Sequence, residues 1–270
     1  IDFAGGLNLQ YDMGSTYDKA DVEEALKAQG IEEFVVSTVG SEGTAVQIRV
    51  PTLSDEDEVQ NLQNGLETTL LEKYPNMDTD NATASYVGPV AGATLVRNAI
   101  FSVLIAAVLM LIYIAFRFDL FSGVAAVAGL LHDVLIMISF MVILRNVIQM
   151  NSSFIAAMLT IVGYSINNTI VIFDRIRENN KKPALAGQPR SEIVELSVKE
   201  SLGRTINTTL TTLVTIVTLY ILGVASIREF SLPIIIGILA GAYSANLING
   251  YVWAALEDAR LARKSQKKAA

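Results

Sequence analysis

Apolar residues follow two different rules along this chain. Over residues 1–96 they come singly or in short runs, two apart or three and four apart. From residue 97 onward they come in long blocks. Uncharged stretches cover residues 98–116, 146–173, 205–227 and 230–256, and a fifth, 120–144, is interrupted only by His132 and Asp133. A helix needs about 20 consecutive apolar residues to cross the hydrocarbon core of a bilayer. The pattern therefore predicts a membrane domain over residues 97–258 with five transmembrane helices, at 97–116, 120–144, 152–173, 204–225 and 229–256. A loop over 174–203 and a basic tail over 259–270 complete this part of the chain.

The first 96 residues read as a separate domain. Residues 1–14 alternate as a strand, with Gly5-Gly6 as a bend or bulge. Residues 18–29 place Val22, Ala25 and Leu26 at helical spacing, and Gly30 is a stop signal. Two β-branched runs, 33–39 and 44–51, flank Gly40-Ser41-Glu42-Gly43 and suggest a hairpin. Residues 55–74 are helical with acids in the first turn, which suits the helix dipole. Residues 81–87 form a last strand that runs into Gly88-Pro89. The order βαββαβ is that of a ferredoxin-like domain. The predicted fold class is thus an α+β ferredoxin-like domain outside the membrane, joined to an all-α polytopic bundle.

Charge adds an orientation. Thirteen basic residues lie on one side of the predicted spans: Arg117, seven over 175–204, and five over 260–268; the opposite loops carry only Arg145 and Arg228. Basic loops stay in the cytoplasm, so residues 1–96 lie outside. An outside domain needs an export signal, and no signal peptide is visible. A further span ahead of Ile1 is therefore expected. Residues 1–96 carry 17 of the 27 acidic residues, which gives the outer domain an acidic, solvated surface. There is no Cys, which excludes disulfides and thiol chemistry, and the only His is His132. No metal ligand set is expected. No HExxH motif and no Ser/His set appears in the spans, so the chain is expected not to be an enzyme.

The chemistry is concentrated in residues 160–178, TIVGYSINNTIVIFDRIRE. Polar side chains in lipid need partners and mark helix interfaces or water-filled paths. Thr160, Tyr164, Asn167 or Asn168, and Val171 share one face, which argues for interior placement. Arg204 opens the next span, followed by Thr208, Thr211, Thr215 and Thr218 at steps of four and three. This stripe is either a polar path in which Arg204 meets Asn168, or a set of hydroxyls bonded to their own helix beside a snorkelling Arg. His132-Asp133 is either a deep ion site or lies near the inner surface on an interfacial helix over 119–130. Gly237, Gly241, Ala245 and Asn249 form a small-residue face for close helix contact, and Pro233 is a point for a kink. An amphipathic run over 192–202 is expected on the inner membrane surface. The basic tail suits anionic lipid or a cytoplasmic partner.

Together these residues resemble the SecD/SecF protein-export family, on its SecF side. The resemblance rests on Ile1-Asp2-Phe3-Ala4-Gly5-Gly6, Tyr86-Val87-Gly88-Pro89, Arg117-Phe118 and Leu131-His132-Asp133. It continues through residues 160–178, with Gly163, Asp174 and Arg175, to Arg204-Thr205 and residues 208–213. It implies a member of the RND superfamily, a multi-pass protein of the bacterial cytoplasmic membrane. Such a protein pairs with SecD beside the SecYEG channel, with YajC and YidC as further associates. It acts on unfolded preprotein among membrane lipids, uses a proton or sodium gradient, and takes no cofactor and no nucleic acid. The implied intramembrane polar network is Tyr164, Asn167, Asn168, Arg204, Thr208 and Asp133. One position departs from the family: Asn168 stands where Asp is usual. Asn does not carry a proton near neutral pH, although it still hydrogen-bonds or offers a carbonyl oxygen to a cation. Two rival readings remain. An RND-type half-transporter of lipid or small molecules needs a substrate-sized pocket in the outer domain. A non-coupling structural subunit of the translocon would tolerate Arg204→Met or Arg204→Lys.

Overall fold

The computed structural model describes residues 5–39, 43–51, 53, 55–145 and 150–269. It comprises two compact units, Ile1–Ile100 and Phe101–Ala270.

The first unit runs β1 (Gly6–Asp12), α1 (Lys19–Ala28), β2 (Val35–Val39), β3 (Ala45–Val50), α2 (Glu56–Lys73) and β4 (Asp78–Val87). The strands form one antiparallel sheet in the order β2-β3-β1-β4. Alternation along β1 buries Leu7, Leu9 and Tyr11, which sit opposite Val50, Ile48 and Val46 of β3. Val22 and Leu26 of α1 and Leu62, Leu66 and Leu70 of α2 join the same apolar cluster, so both helices cover that face. Each helix begins at an aspartate cap. Asp18 accepts from the Ala20 N–H at 3.0 Å, and Asp55 accepts from the Glu58 N–H at 2.8 Å. Gly5 and Gly6 enter β1 at φ 83° and 123°, a backbone that side-chain-bearing residues rarely adopt. Residues 40–42 of the expected hairpin turn, and Asp2, lie outside the described residues.

The second unit is helical. α3 (Pro89–Arg117) enters it from the first, followed by α4 (Leu120–Ile143), α5 (Ser152–Asn179) and α6 (Arg190–Leu222). α7 (Ala225–Ser244) then passes through a π-helical turn, Ala245–Asn249, into α8 (Gly250–Ala269). Among the described residues, five helical stretches are long and apolar enough to cross a membrane: Val90–Arg117, Leu120–Ile143, Ser152–Asn179, Arg190–Leu222 and Ser226–Gln266. The core is made by α4, α5 and α7, through residues such as Leu130, Met137, Ile161, Ile166 and Ile238. The outward faces of α3 and α6 carry exposed Leu, Ile, Val and Phe, as lipid-facing helices do.

Two expectations are corrected. The segment 174–203 is not a loop: α5 continues to Asn179, and α6 already starts at Arg190. The run over 192–202 does not lie as a separate surface helix, because Ile193, Val194, Ser197 and Ser201 are buried within one continuous α6. The basic tail after 259 is helical as part of α8, because the Arg- and Lys-rich sequence contains no helix breaker.

Candidate functional site

The small-residue face of α7 determines what the interior contains. A Cβ on Gly237 would lie 2.5 Å from the Ile161 side chain, and one on Gly241 would lie 3.1 Å from Ser165. The glycines therefore let α7 press against α5 with no side chain between. Gly129 does the same on α4, where an added Cβ would collide with the Asn249 carboxamide. Three helices converge closely, and the polar groups between them meet directly.

Asp133 lies at that convergence. Its helix starts at the Asp119 cap, which accepts from the Ser122 N–H at 2.9 Å. Asp133 is thus about 20 Å along a 24-residue helix, near its middle. The reading of 119–130 as an interfacial helix is corrected, since α4 is continuous from Leu120. Asp133 is 1% exposed. Its Oδ2 accepts from the Ser165 hydroxyl of α5 at 2.5 Å and from the Ser244 hydroxyl of α7 at 2.8 Å. Its Oδ1 lies 3.0 Å from His132 Nδ1. The His132 ring stacks on Tyr243 with centroids 6.0 Å apart. One turn further along α5, the Asn249 Nδ2 donates to the Thr169 hydroxyl at 2.8 Å, and Thr169 donates to the Ser165 carbonyl at 3.1 Å. The buried Asn249 Oδ1 and Asn168 Nδ2 have no partner among the described residues. Asn249 ends the π-helical turn; such turns often occur at functional sites.

The other predicted residues are placed differently. On α5, Asn168 is buried and Tyr164 half-buried, but Thr160, Gly163 and Asn167 are exposed. The expected interior face is therefore rotated: Ser165 and Thr169 face the core, and Thr160 bonds to its own Ala156 carbonyl at 2.8 Å. Between α5 and α6, Tyr164 OH lies 3.5 Å from Thr209 Oγ1, and the Asn179 amide donates to Ser197 Oγ at 2.9 Å. Along α5, Asn168 lies between the residues that make these two contacts. Arg204 is one residue from Thr205 but about 100° around the helix, exposed, and it meets no polar partner among the described residues. The expected meeting of Arg204 with Asn168 does not occur within this chain. The buried stripe on α6 is Ser197, Ser201, Thr205 and Thr209. Thr208 is half-buried, and Thr211, Thr215 and Thr218 are exposed, each bonded to a carbonyl of its own helix.

A second polar cluster ties the charged end of α5 to α6. Arg175 pairs with Glu200 at 2.7 Å and Glu178 at 2.6 Å, and the buried Asn179 donates to Glu200 at 2.7 Å. Asp174 is exposed and receives Arg117 at 3.5 Å. Gly88 ends β4's extension, and Pro89 is the first residue of α3. Sequence reading missed Ser165, Ser244 and Thr169 as site residues. Spacing along α5 could have found Ser165 and Thr169, which stand four apart, but Ser244 is 111 residues from Asp133 and carries no local signal.

Residues 67–259 match the family described as protein export membrane protein SecD/SecF, C-terminal. The protein translocase subunit SecF of Rickettsia bellii is 36% identical over 92% of this chain and 80% of its own length. The protein translocase subunit SecDF of Bacillus subtilis is 34% identical over 98% of this chain, which spans only 35% of that protein. Among solved structures, SecDF from Thermus thermophilus, described as a translocon-associated membrane protein, superimposes with a TM-score of 0.79 at 34% identity. That match covers 96% of this chain and 34% of the other. SecDF in a super-membrane-facing form gives a TM-score of 0.67 at 32% identity, over 99% of this chain and 35% of the other. The chain is a multi-pass membrane protein that belongs to the SecD/SecF protein-export family.

Proposed function

We propose that this chain is the SecF-type subunit of a Sec translocon accessory complex, which assists preprotein translocation across the cytoplasmic membrane at the expense of an ion gradient. The observation that carries this is Arg204. It is an exposed guanidinium on a side of α6 that it shares with Thr208, Thr211, Thr215 and Thr218, and such a charge in a membrane helix needs a counter-group. Its own chain offers none among the described residues, which supports a carboxylate from a partner membrane domain of SecD type. The exposed threonines that follow it on α6 continue the same face. Asn168 remains as a hydrogen-bonding group and not a proton carrier.

The outer unit supports the rest of the reading. Its βαββαβ order, its β2-β3-β1-β4 sheet and its two helices on one face fit a ferredoxin-like domain. The basic residues at the opposite end of the spans fit an extracytoplasmic location for residues 1–96. SecYEG, YajC, YidC, unfolded preprotein and lipid are the partners this role entails; neither a cofactor nor an enzymatic activity is part of it.

Depletion of the subunit from inner-membrane vesicles tests the proposal. Late-stage translocation should slow when a gradient is imposed and be unaffected when it is collapsed. Equal translocation with and without the subunit would refute the role.

A further inference from the structure

We propose that Asp133 and His132 form a proton-binding site inside this chain, separate from position 168 and from Arg204. The inference rests on the gradient-coupled reading above, and names the group in this subunit that takes up and releases the proton.

The argument starts from the cost of the carboxyl group. Asp133 is 1% exposed at the middle of an apolar helix. An isolated charge there is expensive, so such a residue is retained in a membrane bundle only with partners or with a task. The partners are not cationic side chains. α5 offers the Ser165 hydroxyl, and its uncharged stretch over 152–173 contains no ionisable group besides Tyr164, which points to Thr209. α7 offers the Ser244 hydroxyl, and its only charged residues, Arg228 and Glu229, lie four turns away near its start. Both serines donate to one oxygen, Oδ2. The second oxygen, Oδ1, is left to His132 Nδ1 at 3.0 Å. Tyr243 is the other titratable group at the site, and it stacks on the histidine.

This division of labour suits proton exchange. Two hydroxyls fix the carboxyl without taking its proton-accepting oxygen. His132 is 31% exposed, so its ring reaches the edge of the bundle while Nδ1 faces the acid. An imidazolium at His132 passes the proton from Nδ1 to Asp133 Oδ1, leaving a neutral imidazole and a carboxylic acid. The reverse transfer restores both. Ser244 ends α7 directly before the π-helical turn, and its hydroxyl also lies 3.3 Å from the Gly241 carbonyl of its own helix. Neutralising the carboxylate weakens the hydroxyl bonds that join α4, α5 and α7, so proton occupancy is coupled to helix packing.

The test uses the full subunit reconstituted with its SecD partner in proteoliposomes. Infrared difference spectroscopy on a pH step reads protonation of a buried carboxyl, and a pH-sensitive dye reads proton flux. Asp133→Asn should remove the Asp133 component of the buried carboxylic-acid band, leaving any component from the partner's carboxyl, and lower flux at least 10-fold, whereas exposed Glu195→Gln leaves the whole band intact. Ser244→Ala should keep the band but move the pH at which it forms, and His132→Gln should keep the band and slow its formation. A band and flux unchanged in a folded Asp133→Asn protein overturn the proposal. If Asp133→Asn fails to assemble, an unmoved band in Ser244→Ala has the same force. Gradient-driven translocation lost on depletion of the subunit, yet intact in Asp133→Asn, refutes this site alone and leaves the export role standing.

Discussion

Leu9 and Leu109 have opposite fates. Leu9 in the first unit is fully buried, and Leu109 in the membrane unit is 61% exposed. The polar residues are reversed as well. Gln10 sits beside Leu9 on the solvent side of β1, while Asp133, Asn168, Ser165 and Ser244 are buried. The first unit is held by apolar side chains expelled from water. In the membrane unit, lipid is as apolar as the core, so apolar contact alone does not choose which helix faces meet. Glycines that admit close approach and hydroxyls that need partners make that choice. Stability in the first unit should therefore follow lost apolar volume, and in the second it should follow small and polar residues.

The largest effect expected from this contrast is at Leu66. Leu66→Ala should destabilise the first unit by about 2–5 kcal/mol, read by denaturant unfolding. The same truncation at Leu109 should stay within about 0.5 kcal/mol, since it leaves no cavity. A comparable loss at both positions would break the contrast. Next comes Gly237→Leu, which forces a side chain into Ile161 and should cost the membrane unit about 1–3 kcal/mol or its assembly, read by thermal unfolding in detergent.

Smaller effects are expected within the first unit. Tyr11 donates to Glu67 at 3.1 Å. Burial, reinforced by the Glu67 carboxylate, pushes the Tyr11 phenol above its ordinary value. A raised value means that the fold favours the neutral form, so this contribution is complete below about pH 10 and is lost as pH rises further. Tyr11→Phe should cost about 0.5–1.5 kcal/mol at neutral pH and flatten the alkaline fall in stability. The smallest effect concerns Asp21. The Tyr74 hydroxyl at 2.7 Å, and after it Lys73 at 3.0 Å, hold its carboxyl below the ordinary value. Its contribution is present above about pH 4 and is lost as pH falls through the lowered value. In a carboxyl-detected NMR titration, Tyr74→Phe should raise the Asp21 midpoint more than Lys73→Met does.

The same contrast explains what the sequence revealed. Alternation at Leu7, Leu9 and Tyr11, and at Val46, Ile48 and Val50, is burial written directly into spacing. The caps at Asp18 and Asp55 fixed the helix starts. In the membrane unit, the five apolar stretches were legible from length, but their inward faces were not. Thr160 and Asn167 looked like interior residues because they are polar, yet Thr160 satisfies itself on Ala156. The start of α6 was hidden by Lys199, Glu200, Gly203 and Arg204, which read as a loop end but continue as helix over the Asn179–Glu200 clamp. The Asp133–Ser244 bond joins residues too distant for any periodicity to register.

The most direct test of the central claim is gradient-driven preprotein translocation in vesicles carrying Arg204→Lys or Arg204→Met. The coupling role predicts that either variant assembles with its SecD-type partner but loses the gradient-dependent part of translocation. Full gradient-dependent translocation with either variant would contradict it and leave the chain as a structural subunit.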